Sequence, residues 1–258
     1  MDEPPTVPDG PVVGDAFGAA LLACWEASVK PYEVLELIER DDGYLDGADA
    51  ARYFAPPESW DALEHSVCER ACGRVLDIGS GGGRIALYLQ ERGLDVTALD
   101  VSPLAGEVCR RRGVRQVFTG TVSDLVAARP ALHRPFDTFL LMGNNLGLFG
   151  GVEQASRFLA TLASLALPGA TVMGTGMDPY RTTQELHLAY HARNRALGRM
   201  GGQIRMRVRH RRLATDWFDY LFATPDELRS LLEGTRWRLE HLQPRDNSAS
   251  YAAQLRLT

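Results

Sequence analysis

RVLDIGSGGGR, residues 74 to 84, decides the fold. A short apolar run, RVLDI, ends abruptly in a cluster of glycines, and RIALYLQER follows with Ile85, Leu87, Tyr88 and Leu89 mostly on an inward face. This is the pattern of a buried strand, a tight turn and a helix. Glycines let the backbone turn sharply and let a ligand lie against the main chain. The helix start leaves N–H groups without intrahelical partners, an opening for an anionic or polar group. The next strand, DVTALD, ends at Asp100, which stands 21 residues after Gly79. A carboxylate at that distance is placed to accept hydrogen bonds from both hydroxyls of a ribose.

Two nucleotide-binding patterns share this geometry. Dinucleotide sites want G-x-G-x-x-G, but the glycines here run G-x-G-x-G with Arg84 in the sixth place, so that pattern is not met. The acid two residues before the first glycine, Asp77, completes D/E-x-G-x-G-x-G. The segment VLDIGSGGGRIALYLQERGLDVTALDVSPLA resembles the class I S-adenosylmethionine-dependent methyltransferases; RVLDIGSGGGR resembles their first motif, LDVSP their second, and FDTFLLMGNN the motif of their fourth strand. The resemblance runs over roughly residues 33 to 258. It implies a Rossmann-like α/β fold whose seven-stranded, mostly parallel sheet has the order 3-2-1-4-5-7-6, with the last strand antiparallel. It also implies S-adenosylmethionine as cofactor and S-adenosylhomocysteine as product. By position, Gly79, Ser80, Gly81 and Gly83 would line the methionine half, with Asp77 orienting the loop and the cofactor's amino group. Asp100 would hold the ribose, and Val101 and Ser102 would flank the adenine. Gly143 and Asn144 would close the pocket from the fourth strand. Many relatives carry an acid after the third strand; here Gly120-Thr121-Val122-Ser123 stands there with Asp124 slightly later, so Thr121 or Ser123 would substitute.

Working outward, strand and helix patterns alternate from residue 74, the mark of a parallel sheet. RQVFT reads as the third strand, FDTFLL as the fourth, GVEQASRFLATLASLAL as a long helix, and Pro168-Gly169 as a turn into a fifth strand, ATVMGTG. Residues 178 to 223 break the alternation: a helix over 181–198, then QIRMRVRHRRL and DWFDYLFA as a strand and its hairpin partner. Thr224-Pro225-Asp226-Glu227 is a capping box with proline at the first helical position, and WRLEHLQP and SYAAQLRLT close the sheet. The expected organisation is a flexible tail over 1–12, a helical N-terminal cap over 13–72, a methyltransferase core over 73–177 and 224–258, and a helix-plus-hairpin cap insertion over 178–223. Within the N-terminal cap, EVLELI (33–38) fits helix or strand, and ERDDGY reads as a turn.

Bulk properties exclude several classes. With 28 basic and 33 acidic residues the net charge is −5, which argues against a nucleic-acid partner. No apolar run reaches the length of a membrane span, and the acidic, proline-rich start is unlike a secretion signal. Four cysteines in 258 residues are too few for a disulfide scaffold, and a cytoplasmic setting follows as the default.

The acceptor side is less legible. Asn144 and Asn145 follow the fourth strand, at the rim where ligands bind in open α/β sheets; each fits either a ligand contact or a turn asparagine bonding its own backbone. His187, Tyr190 and His191 share a helix face, so His187 or His191 is a candidate base, and Asn145 a candidate catalytic hydrogen-bonding group, with ordinary packing as the competing reading. No third ligand accompanies the histidines, and no metal is expected. Tyr53, Phe54, Trp217 and Phe218 would form an aromatic lid or pack within the cap. Arg205, Arg207, Arg209 and Arg211 alternate along one strand, with Arg193, Arg195, Arg199 and Arg212 close by in sequence. They read as a solvated face or as a surface for an anionic or carrier-bound acceptor. The expected activity is methyl transfer to a small molecule, in secondary or specialised metabolism. The alternatives are the same pocket used for cyclisation or elimination, a partner subunit, and an NAD-dependent oxidoreductase. No oligomeric state is legible.

Overall fold

The computed structural model describes residues 10–128 and 134–258. The chain opens with β1 (Val12–Val13) and α1 (Ala16–Glu26), then a hairpin of β2 (Leu35–Arg40) and β3 (Leu45–Asp49). A 3-10 turn over Ala50–Phe54 and helix α2 (Ala62–Arg70) lead into the alternating region. There β4 (Arg74–Ile78), α3 (Arg84–Glu91), β5 (Asp95–Asp100) and α4 (Pro103–Arg112) follow in turn. The pattern continues through β6 (Gln116–Thr119), α5 (Val122–Ala127), β7 (Phe136–Leu141), α6 (Val152–Leu165) and β8 (Ala166–Met177). Next come α7 (Glu185–Ala196), β9 (Gln203–His210), β10 (Leu213–Ala214) and β11 (Phe218–Leu221), and finally α8 (Pro225–Leu231), β12 (Trp237–Pro244) and β13 (Ser250–Leu257).

The larger sheet runs β12-β13-β8-β7-β4-β5-β6. Counted along the core, that is 3-2-1-4-5-7-6, and β13 is antiparallel to both neighbours, as the resemblance implies. Every residue of β4 is buried, because helices cover both faces of a parallel sheet. Alternation along β4 sends Leu76 and Ile78 to the side packed with Phe139, Leu159 and Trp237. Val75 faces the other side, with Val67, Ile85, Leu89 and Ala98. Asp77 shares the face of Val75. Pro168-Gly169 does not end a helix-to-strand turn; it lies inside β8 as a bulge, between the Phe136–Ala166 and Thr138–Thr171 pairs.

The smaller sheet runs β1-β10-β9-β2-β3, with β11 also pairing β9. Two expectations are corrected here. Leu35–Ile38 of EVLELI fall in strand β2, so residues 13–72 add a hairpin rather than helices alone; Ile38 pairs with Asp46 on one side and Val208 on the other, and so distant a second partner leaves no trace in local periodicity. Val12, expected in the tail, forms a parallel pair with Leu213, while residues 1–9 of that tail lie outside the described residues. Among the described residues no helix is long and apolar enough to cross a membrane.

Candidate active site

The glycine turn sits at the C-terminal end of β4. Gly79, Gly81 and Gly83 have φ of 69°, 53° and 75°, a region costly for any residue with a Cβ. Gly79 and Ser80 donate N–H groups to Leu99 O at 2.8 and 3.1 Å, stitching the turn to β5. Gly81 N–H donates to Asp100 Oδ2 at 2.9 Å, and Ser102 N–H to Asp100 Oδ1 at 2.9 Å. The turn and the carboxylate of the second core strand therefore share one pocket. Burial pushes the Asp100 carboxyl above its ordinary range, opposed by these two N–H groups.

Asp77 is 2% exposed, and its Oδ2 has no hydrogen-bond partner among the described residues. Burial pushes its carboxyl up to about 7; the Arg84 charge works against that and Asp100 with it. A buried acceptor left unsatisfied is costly unless a ligand completes it. The cationic amino group of S-adenosylmethionine is a fitting partner. Val101, 64% exposed beside Asp100, offers an apolar surface.

Other expected cofactor contacts are already engaged. The Ser102 hydroxyl caps α4, accepting from Ala105 N–H at 2.9 Å, and donates to Asp15 Oδ2 at 2.8 Å. Thr121 caps α5 in a reciprocal box with Asp124, so its hydroxyl proton is also spent. Gly143 and Asn144 both have φ of 67° and turn the chain at the end of β7. Asn145 Nδ2 donates to Ile78 O at 3.3 Å and Gly79 O at 3.2 Å, joining the ends of β4 and β7. Tyr220 Oη donates to Asn144 O at 2.7 Å and approaches Asn145 Oδ1 at 3.3 Å. The Asn145 amide thus ties two strands together, the work of a positioning group.

The histidines are held elsewhere. His187 Nδ1 lies 3.1 Å from Arg40 and its ring meets Tyr44 edge-on at 5.1 Å. His191 is buried against Tyr180 at 5.4 Å with Nδ1 unpartnered; burial lowers its pKa, and the Arg195 charge adds to this. Tyr190 Oη donates to Asp41 at 2.6 Å and accepts from Arg205 N–H at 3.2 Å. This helix face anchors α7 to the smaller sheet and none of these partners belongs to the glycine turn. No group of three metal-ligating side chains occurs among the described residues.

The cover over the turn comes from the N-terminal segment. Tyr53 Cδ1 and Phe17 Cζ would each lie 3.6 Å from a Cβ on Gly81, and the two rings meet edge-on at 5.2 Å. Phe54 instead stacks on Trp25 at 6.0 Å, and Trp217 lies under Arg207 at 4.6 Å. Tyr53 Oη donates to Glu36 Oε2 at 2.6 Å, and Arg52 to the same oxygen at 2.9 Å. Asp15, Phe17, Glu36, Arg52 and Tyr220 went unmarked in the sequence. Only Asp15 had a readable signal, an acid directly before an apolar helix. The arginine row is largely neutralised: Arg207 and Arg209 reach Glu39 at 2.7 and 3.3 Å, Arg205 reaches Asp219 at 3.6 Å, and Arg193 reaches Asp41 at 3.1 Å. Arg211, at φ 53°, sits in the turn after β9 rather than on its face.

Comparison with known proteins agrees with this geometry. A family model described as a methyltransferase domain matches residues 75–169. A crystal structure of an S-adenosylmethionine-dependent methyltransferase from Bacteroides fragilis, in complex with S-adenosyl-L-homocysteine, is 25% identical with a TM-score of 0.78 and covers 95% of both chains. Residues 75–169 thus form a methyltransferase domain, within the fold of the S-adenosylmethionine-dependent class I methyltransferases. Among curated methyltransferases, the ubiquinone biosynthesis O-methyltransferase of Xanthomonas euvesicatoria pv. vesicatoria is 33% identical over 106 residues, 39% of this chain and 41% of that one. The enzyme of that name from Caulobacter sp. is 29% identical over 169 residues, 62% of this chain and 58% of that one. The stretches matched thus span at most 58% of these curated methyltransferases.

Proposed function

We propose that this methyltransferase moves the methyl group of S-adenosylmethionine to a small-molecule acceptor seated between the glycine turn and the smaller sheet. The observation that carries this reading is the unpartnered, buried Asp77 Oδ2 beside a turn whose Gly81 N–H already holds Asp100. When bound, the cofactor supplies a methyl carbon made electrophilic by its sulfonium. The chain's own part is placement. Asp77 receives the ammonium, the bare glycines admit the ligand against backbone, and Asp100 faces the ribose hydroxyls from a carboxylate pinned by two N–H groups. Tyr53 and Phe17 exclude water above Gly81, which strengthens every polar contact beneath them.

Residues 13–72 and 178–223 make up the acceptor side in this reading, because both contribute strands to the smaller sheet. A small acceptor is favoured over nucleic acid by the net charge of −5 and by the paired arginines of β9. The names of the curated relatives favour an oxygen as acceptor atom. Four free cysteines, three of them buried, suit a reducing cytoplasm.

Calorimetry with S-adenosylmethionine, S-adenosylhomocysteine and NADH tests the cofactor side: the first two bind and NADH does not. Asp100→Ala is expected to weaken S-adenosylmethionine by about 1.5–3 kcal/mol, the loss of hydrogen bonds to a charged group. Unchanged affinity in a folded variant would remove the ribose role. An acceptor that gains about 14 mass units marks methyl transfer as the outcome; cofactor consumption without that gain marks cyclisation or elimination.

A further inference from the structure

Glu36 stands on β2 with only 2% of its surface exposed. Register puts Ile38 opposite Val208, and Phe218 and Tyr220 opposite Met206 and Ile204. One face of the smaller sheet therefore carries Ile38, Met206, Val208 and Phe218 together with the polar groups Glu36, Arg40, Asp46, His210 and Tyr220. Two of these lie toward the cofactor turn, Glu36 through Tyr53 and Tyr220 through Asn144. Tyr53, which donates to Glu36 Oε2 at 2.6 Å, lays its ring where Gly81 lacks a side chain. Tyr220 donates to Asn144 O at 2.7 Å, at the end of β7. Arg52 fills the rest of Oε2 at 2.9 Å. The Tyr53 and Arg52 hydrogen bonds both go to Oε2, so a buried carboxylate gripped at one oxygen stands one tyrosine ring above the glycine turn.

We propose that Glu36 is the catalytic base of the reaction, and that the acceptor is a neutral hydroxyl on an apolar, ring-sized body. The proposal rests on the methyl-transfer reading above. The acceptor oxygen forms its bond to the methyl carbon as the C–S bond breaks with its pair going to sulfur, and the hydroxyl proton passes to Glu36 Oε1. The apolar residues that share the face of Glu36, Ile38, Met206, Val208 and Phe218, suit a ring. A base serves an acceptor that carries a proton on its attacking atom, and a hydroxyl, unlike an ammonium, brings no second charge into this buried site. The groups facing Glu36 are Tyr53 and Arg52 on the 3-10 turn, Asp46 on β3 and Tyr220 on β11. Burial raises the Glu36 carboxyl, against the hydrogen bonds of Tyr53 and Arg52, which makes it a stronger base. Burial also drives both phenols far upward, so Tyr53 and Tyr220 stay protonated and donate.

Phenol, catechol and 4-methylcatechol serve as probes. The S-adenosylhomocysteine complex is expected to bind at least one of them by calorimetry, and the S-adenosylmethionine complex to methylate it with kcat/KM falling along one acid limb. Glu36→Gln is expected to lower kcat/KM about 100-fold or more and to erase that limb, in the range of lost general-base catalysis. Its affinity for S-adenosylmethionine should stay within about threefold, since its bonds run to the roof and not to the glycine turn. Tyr53→Phe removes one of the bonds that hold the Glu36 carboxyl down, so the limb moves to higher pH; a purely structural tyrosine would lower the rate without moving it. Glu36→Asp, which keeps a shorter carboxylate, recovers part of the rate. The proposal is overturned if Glu36→Gln keeps its rate and its acid limb, or if none of the three probes binds the loaded protein. Failure of the wild-type chain to bind S-adenosylmethionine strikes the methyl-transfer reading itself, and is seen separately in the cofactor titration.

Discussion

The two sheets meet over the glycine turn, yet they are assembled by opposite means. The larger sheet follows the chain, with helices between the strands from β4 to β8, and is sealed by apolar residues such as Phe139, Leu159 and Trp237. The smaller sheet draws on Val12–Val13, Leu35–Asp49 and Gln203–Leu221, stretches far apart in sequence, and places ion pairs on its outer face. In the reading proposed above, the cofactor half of the site is made of backbone and two carboxylates on neighbouring strands, Asp77 and Asp100, and the acceptor half of side chains such as Glu36 and Tyr220. A ligand of fixed chemistry is met by main chain, which substitution leaves in place; a variable ligand is met by side chains that can change without disturbing the turn.

Three experiments press on this contrast. Trp237 is fully buried, edge-on to Phe139 at 6.2 Å, with its indole N–H donating to Leu159 O at 2.9 Å. Trp237→Ala is expected to cost about 3–5 kcal/mol of stability in denaturant unfolding. A loss under about 1 kcal/mol would mean that the larger sheet does not carry the fold.

The next effect is a pH dependence. A carboxyl raised by burial favours the protonated form in the folded, ligand-free chain. Its contribution to stability is therefore present in acid and is lost as pH rises through about 7, the position of Asp77. A bound ammonium reverses that preference. The affinity for S-adenosylmethionine should accordingly improve by about tenfold between roughly pH 6 and pH 8. Asp77→Asn should flatten this profile, while Glu36→Gln, on the other sheet, should leave it alone. A profile that is flat in the wild type removes the ammonium role from Asp77.

The smallest effect belongs to the outer face of the smaller sheet. Arg207→Ala leaves Glu39 with Arg209 as a partner, so the loss should be about 1 kcal/mol or less and should shrink further in high salt. A larger loss would show that the ion pairs, rather than the buried face, hold the smaller sheet together.

The same contrast governs what could be read in advance. The motif around Gly79, the terminal acid of β5 and the alternation that follows are local patterns, and they carried the resemblance from which the order of the larger sheet was expected. EVLELI was ambiguous because it is too short to show a period, and although β3 pairs it on one side its other partner, β9, lies far along the chain. His187 and His191 drew attention by residue type and spacing, yet Arg40 and Tyr180 hold them away from the turn. Ser102 and Thr121 were assigned to adenine by position, while their hydroxyls cap helices. Glu36 went unnoticed because an acid in an alternating strand reads as solvent-facing until tertiary packing covers it.

Asp100 does not stop at the glycine turn. Gly81 leans on Asp100, Asp100 on the Ser102 backbone, the Ser102 hydroxyl on Asp15, and Asp15 on the Gly18 N–H at 2.9 Å and the Leu104 N–H at 3.1 Å. This relay links the start of the first helix to the cofactor pocket in a few bonds, across more than sixty residues of intervening sequence. A chain trimmed to begin at Ala16 would retain every residue of the glycine motif and still hand the pocket a loosened wall, since the hydroxyl at Ser102 and the amide at Leu104 would both have lost the carboxylate they share.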